Sequence, residues 1–161
     1  MSADSIDIEA KIQAMGLVLP EPMRVDLPFP WVRIHGNRAF LSGHGPQNAD
    51  GSIAEPLGKL GEDVSVEQGY KQARRVGLSM LGSLRRELGD LSRVTTWLRA
   101  FGMVASAPGF NRQPEVINGF TDLILEIWGP DHGAHSRSAV GMAELPFKIP
   151  VEIEAEVEIE D

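Results

Sequence analysis

The stretch His135–Glu160, HSRSAVGMAELPFKIPVEIEAEVEIE, decides how the rest of the chain is read. From Val151 onward the apolar residues Val151, Ile153, Ala155, Val157 and Ile159 alternate with Glu152, Glu154, Glu156, Glu158 and Glu160. That is the period of a strand with one buried face. Val151, Ile153, Ala155 and Val157 are expected to turn toward helices, with the glutamates turned away. A second run before it, SRSAVG, carries a single arginine, Arg137, among small residues.

Working outward, residues 113–128 place Val116, Ile117, Phe120, Leu123, Ile124 and Ile127 on one helical stripe, which Gly129-Pro130 ends. Arg93–Ser106, RVTTWLRAFGMVAS, has the Val, Thr, Trp and Phe content of a strand. Ser65-Val66-Glu67-Gln68 matches a capping box, and the helix it opens runs to Leu88 and stops at Gly89. Gln47–Asp63 reads as a long connection with one short strand. Trp31–Gly45 reads as a β-hairpin turning at His35-Gly36-Asn37-Arg38 and ending in the glycine-rich corner Ser42-Gly43-His44-Gly45-Pro46. Prolines at 20, 22, 28 and 30 exclude helix and central strand, so that segment should lie extended over the surface. Residues Ser5–Met15, with Ile8, Ile12 and Met15 at spacings of four and three, read as a short amphipathic helix appended to the fold. The order β-β-α-β-α-β-β implies an α+β class, one mixed sheet with two helices on one face. The 161 residues are expected to form one domain, with residues 1–29 as an N-terminal helix and proline-rich extension.

Fifteen Lys and Arg against 23 Asp and Glu give a net charge of −8, which disfavours a nucleic-acid partner. Arg74, Arg75, Arg85 and Arg86 have the spacing of a solvated helix face rather than a binding patch. Without cysteine there is no disulfide, thiolate metal site or thiol nucleophile. The acidic N-terminus is unlike a secretory signal and no apolar run is long enough to span a membrane, so a soluble, cytoplasmic protein is expected. The histidines at 35, 44, 132 and 135 show no metal-ligand spacing, and no metal site is expected. Trp31, Trp97 and Trp128 read as core or interface anchors.

Two charged residues are candidates for chemistry. Glu152, just after Pro150, stands where the strand enters the sheet and could act as a general base or orient a water. Arg137 fits either an ion pair with a glutamate or a bidentate clamp for a substrate carboxylate. The SGHGP corner fits either a ligand approached by backbone amides or a plain strand exit.

SGHGP (42–46), LGDLSRVTTWLRAFGMV (88–104), INGFTDLI (117–124) and above all HSRSAVGMAELPFKIPVEIEAEV (135–157) resemble the Rid/YjgF superfamily of reactive intermediate deaminases, formerly endoribonuclease L-PSP. The resemblance covers about residues 30 to 158 and leaves the N-terminal helix outside. It implies a chorismate-mutase-like fold, a homotrimer with ligand clefts between subunits, and cofactor-free hydrolysis of enamines and imines such as 2-aminoacrylate to a keto acid and ammonia. By motif, Arg137 matches the carboxylate clamp, Ser42 and Gly43 the ligand-contacting corner, Asn118 an asparagine of the second helix, and Glu152 the glutamate near the reactive carbon. Three positions depart from the pattern: Ala139 replaces a cysteine and could donate only its amide, His44 replaces a glutamine, and Trp31 is the nearest counterpart of an entrance tyrosine. These departures suggest a divergent branch. A non-catalytic trimeric carboxylate-binding or chaperone-like protein is the alternative, with a ribonuclease behind it.

Overall fold

The computed structural model describes residues 7–161. Strands β1 (Val32–His35) and β2 (Arg38–His44) form the expected hairpin, with Gly36 at φ 61° in the turn. Helix α2 (Val66–Leu88) opens on the expected capping box: the Ser65 hydroxyl accepts from the Gln68 amide at 3.1 Å, and the Gln68 side chain accepts from the Ser65 amide at 2.9 Å. Gly89, at φ 82°, closes it by donating to the Arg85 carbonyl. Strand β3 (Val94–Ala105) follows, then helix α3 (Gln113–Gly133), whose axis breaks at Gly129 (φ 77°) before a last turn, and then strand β4 (Ser136–Met142). Strand β5 (Val151–Ile159) completes a mixed sheet of order β1-β2-β5-β3-β4. β5 is antiparallel to both its neighbours, whereas β4 is parallel to β3, the pairing that a helical crossover such as α3 permits.

The alternation in β5 sorts its side chains as expected. Val151, Ile153, Ala155, Val157 and Ile159 are buried beneath α2 and α3, and the glutamates lie on the opposite face. Trp97 and Trp128 meet edge to face in this core at 5.3 Å, and the Trp128 indole donates to the Val94 carbonyl. The two long helices approach so closely that a Cβ at Gly119 would lie 2.0 Å from the Tyr70 carbonyl oxygen. Only glycine permits this contact.

Three expectations change. The first helix, α1 (Ile8–Ala14), is not an appendage: Ile8 and Ile12, four apart and therefore on one face, are 1% and 2% exposed within the main core, and Glu9 pairs with Arg85. Ser5 and Ile6, where that helix was expected to begin, lie outside the described residues. Between Gln47 and Asp63 there is no strand, only isolated bridges at Gln47–Ile53 and at Leu60, because glycines with positive φ at 51, 58 and 61 interrupt the extended run. The arginines of α2 hold the N-terminal segment and α3: besides Arg85, Arg74 pairs with Glu126, and Arg86 donates to the Pro20 carbonyl. The proline-rich segment forms neither helix nor strand, as expected, but it bends at residues 28, 29 and 31 rather than running straight, and it is tied to the body where Glu21 donates to the Ala49 carbonyl. Among the described residues no helix is long and apolar enough to cross a membrane.

Candidate functional site

The site is set by a bulge. Leu41 faces Ala155 while His44 faces Ile153, so β2 advances three residues where β5 advances two, with Ser42 and Gly43 accommodating the difference. The bulge returns His44 to the helix side of the sheet. There it is 3% exposed: its Nδ1 lies 2.5 Å from the Ser42 carbonyl and its Nε2 lies 2.8 Å from the Ser83 hydroxyl of α2. A carbonyl only accepts, so Nδ1 carries the proton and Nε2 accepts from Ser83. Burial pulls the His44 pKa from 6.5 to about 4, the Ser42 bond opposing and Arg86 assisting, which leaves the ring neutral. His44 therefore acts as a buttress behind the corner, and its ring packs 4.8 Å from that of Trp31. Ser42 is likewise engaged, its hydroxyl donating to the Pro30 carbonyl at 2.8 Å.

Gly43 opens the other side. A Cβ there would lie 3.0 Å from Glu152 Cδ and 3.1 Å from its Oε1, so the carboxylate rests close against Gly43, in space that a larger residue would crowd. Among the described residues Glu152 has no ion-pair or hydrogen-bond partner, and burial followed by the charge of Glu154 raises its pKa. It borders a cavity of about 210 Å³ together with Trp31 and Gly43.

Arg137 stands elsewhere. It pairs in register with Ala100, whose side chain is buried under α3, and its guanidinium turns to that helix. Nη1 donates to Asn118 Oδ1 at 2.8 Å and to Thr121 Oγ1 at 3.1 Å, and Nη2 to the Pro114 carbonyl at 3.3 Å. The ion pair with a glutamate that the sequence allowed is not formed: all three acceptors are uncharged. Burial lowers the pKa of the guanidinium and Asp122 opposes that shift. Thr121 is itself held by His135, whose Nδ1 donates to the Gly133 carbonyl and whose Nε2 lies 3.0 Å from the threonine hydroxyl. Ala139 follows two residues on, beside Gly102 and partly buried on the same face.

The expected residues thus form two clusters, Trp31–Gly43–Glu152 and Asn118–Arg137–Ala139. Glu152 is opposite Met103, and Met103 is opposite Val140, so the clusters are two strands apart, and the side chains of Glu152 and Arg137 leave opposite faces of the sheet. One chain does not bring them together. Sequence reading missed Thr121, and it missed the Met23, Val25, Leu27 and Phe29 wall of the cavity. The signal for that wall was present as alternation at positions 23, 25, 27, 29 and 31, masked by the prolines.

A family model described as "YjgF/chorismate_mutase-like, putative endoribonuclease" matches residues 9–151. The chain belongs to the YjgF/chorismate-mutase-like family. The YjgF match begins at residue 9 rather than near 30, so it takes in most of α1 and the proline-rich segment, and it ends one residue before Glu152. Protein TCP17 of Trypanosoma cruzi is 35% identical over 94% of both chains. The crystal structure of Atu1372 from Agrobacterium tumefaciens, a protein of unknown function, is 37% identical, covers 98% of this chain and 94% of its own, and superposes with a TM-score of 0.86. A Shewanella oneidensis structure carrying the same endoribonuclease designation is 28% identical over 94% of this chain and 99% of its own, with a TM-score of 0.87. YjgF membership supports a Rid-like small-molecule role or an endoribonuclease-like one.

Proposed function

We propose that the protein hydrolyses small enamine or imine intermediates bearing a carboxylate, of the 2-aminoacrylate type, to keto acid and ammonia without a cofactor, in clefts between the subunits of a homotrimer. The observation that carries this reading is the unpartnered, half-buried Glu152 against Gly43. Its raised pKa brings it closer to neutral pH, as suits a general base.

In this reading Arg137 of one subunit clamps the substrate carboxylate, its fork oriented by Asn118 and Thr121. An enamine such as 2-aminoacrylate first takes a proton from solvent at its methylene carbon and becomes the iminium, whose carbon Glu152 of the next subunit faces. Water adds to that carbon and forms a C–O bond as Glu152 takes its proton. The proton passes to the amine of the carbinolamine, the C–N bond breaks, and the remaining hydroxyl proton leaves with ammonia as ammonium. An iminium carbon is already electrophilic, so the gain comes from holding the two reactants together.

The test is pyruvate and ammonia release from 2-aminoacrylate generated in situ by a threonine dehydratase. Acceleration over buffer that is lost in Arg137→Ala and Glu152→Gln is the expected result, and no acceleration contradicts the proposal. Thermal stabilisation by small carboxylates without turnover would instead favour a binding protein. The acidic net charge argues against RNA as the substrate.

A further inference from the structure

Glu152 borders a cavity far more apolar than hydrolysis of 2-aminoacrylate requires. Residues 23–31 follow an irregular path with bends at 28, 29 and 31, along which Met23, Val25, Leu27, Phe29 and Trp31 line the cavity, together with Phe147 and Ile149. Of the six exposed large hydrophobics among the described residues, Val25, Phe29 and Phe147 all border this cavity, which concentrates exposed apolar surface beside the carboxylate. Phe147 is 63% exposed and is held at the rim by a backbone turn in which Phe147 and Lys148 both adopt positive φ, 58° and 59°. Neither is glycine, so the turn carries strain of the kind found at ligand clamps.

The volume of about 210 Å³ is roughly seven times the ~30 Å³ share of one water and below the ~300 Å³ of a drug-sized site. It is large enough for a leucine- or phenylalanine-sized side chain, since an apolar cavity of about 150 Å³ already admits benzene. The methylene of 2-aminoacrylate would leave it filled with water against apolar walls. We propose, resting on the deaminase reading above, that this cavity is a side-chain subsite which selects imino acids with branched-aliphatic or aromatic side chains over the alanine-derived one. Such a substrate places its apolar group between residues 23–31 and Phe147 and its cationic iminium at Glu152.

The experiment uses the full chain. Imino acids are generated in situ by an amino-acid oxidase from alanine, leucine and phenylalanine, and kcat/KM for keto-acid release is compared. Wild type should prefer the leucine or phenylalanine product by at least about tenfold, the low end for an added methylene in an apolar pocket. In Leu27→Asp and in Phe147→Ala the preference should collapse toward one. Equal or better turnover of the alanine product overturns the subsite and leaves the deaminase reading standing, whereas no turnover of any substrate overturns that reading. A second arm is independent of turnover: 4-methyl-2-oxopentanoate should quench tryptophan fluorescence at least about tenfold more tightly than pyruvate. Equal affinities, or a preference unaffected by both variants, overturn the subsite whatever the kinetics show. Particle size is measured for each variant, and loss of assembly with unchanged preference assigns the wall to a subunit contact instead.

Discussion

The two faces of the sheet are built on opposite terms. On the helix side the core is packed shut: β5 buries five apolar residues, α2 and α3 meet at a glycine, and the polar His44 is neutral with both ring nitrogens bonded, while the buried Trp97 indole N–H stays without a partner. On the other side, Glu152 is half-buried without a partner, and exposed apolar side chains gather around it. The first face neutralises and pairs the one imidazole it buries. The second keeps a desolvated carboxylate unpaired, which costs stability and is the expected mark of a site. Arg137, held by neutral oxygens at the sheet edge, is the complementary charge facing the other way.

The largest effect should come from the two candidate site residues, Glu152 on the open face and Arg137 at the sheet edge beside α3, and only in turnover. Glu152→Gln should lower deamination by about 10²- to 10⁴-fold, the range for a positioned proton-transfer group, and Arg137→Ala should lower kcat/KM by at least about tenfold through lost carboxylate binding, with circular dichroism unchanged in both. On the closed face the effects should fall on folding instead. Gly119→Ala drives a methyl into the Tyr70 carbonyl and should lower the unfolding free energy by about 3 kcal/mol or more in urea titrations.

The titrating groups distinguish the faces by sign. His44 is depressed from 6.5 to about 4 in the folded chain, so its contribution is fully present above pH 6.5 and is lost as pH falls toward 4. Over that window wild type should lose on the order of 3 kcal/mol that His44→Gln does not lose. Glu152 runs the other way: its folded pKa is raised, so ionisation weakens the fold as pH rises through the carboxylate range. Glu152→Gln should therefore be no less stable than wild type at pH 7 in urea titrations. A loss of stability in that variant would show that Glu152 is a structural group and would erase the contrast between the faces.

The closed face was legible in the sequence because its signals are local. The period of two after Val151, the capping box at Ser65 and the apolar stripe of α3 each depend on residues within a turn or two of one another. The site was legible as a set of residues but not as an arrangement. Whether Arg137 and Glu152 share a face depends on the register of β4 on β3 and β3 on β5, which no window of sequence contains. The one-residue bulge at Ser42–Gly43 has the same character, since it decides that His44 turns inward while Gly43 yields room to Glu152. Alternation from Met23 to Trp31 was visible, yet prolines at 22, 28 and 30 argued against a sheet and so hid a cavity wall.

We propose that Arg137 and Glu152, separated within one chain, act together across a subunit boundary. Co-expression of Arg137→Ala and Glu152→Gln chains tests it most directly. In a cyclic trimer assembled at random from equal amounts, about a quarter of the sites combine an intact Arg137 with an intact Glu152, so about a quarter of wild-type deaminase activity should return from two impaired parents. If the mixture is no more active than either parent alone, the two residues do not share a site, and the account is wrong.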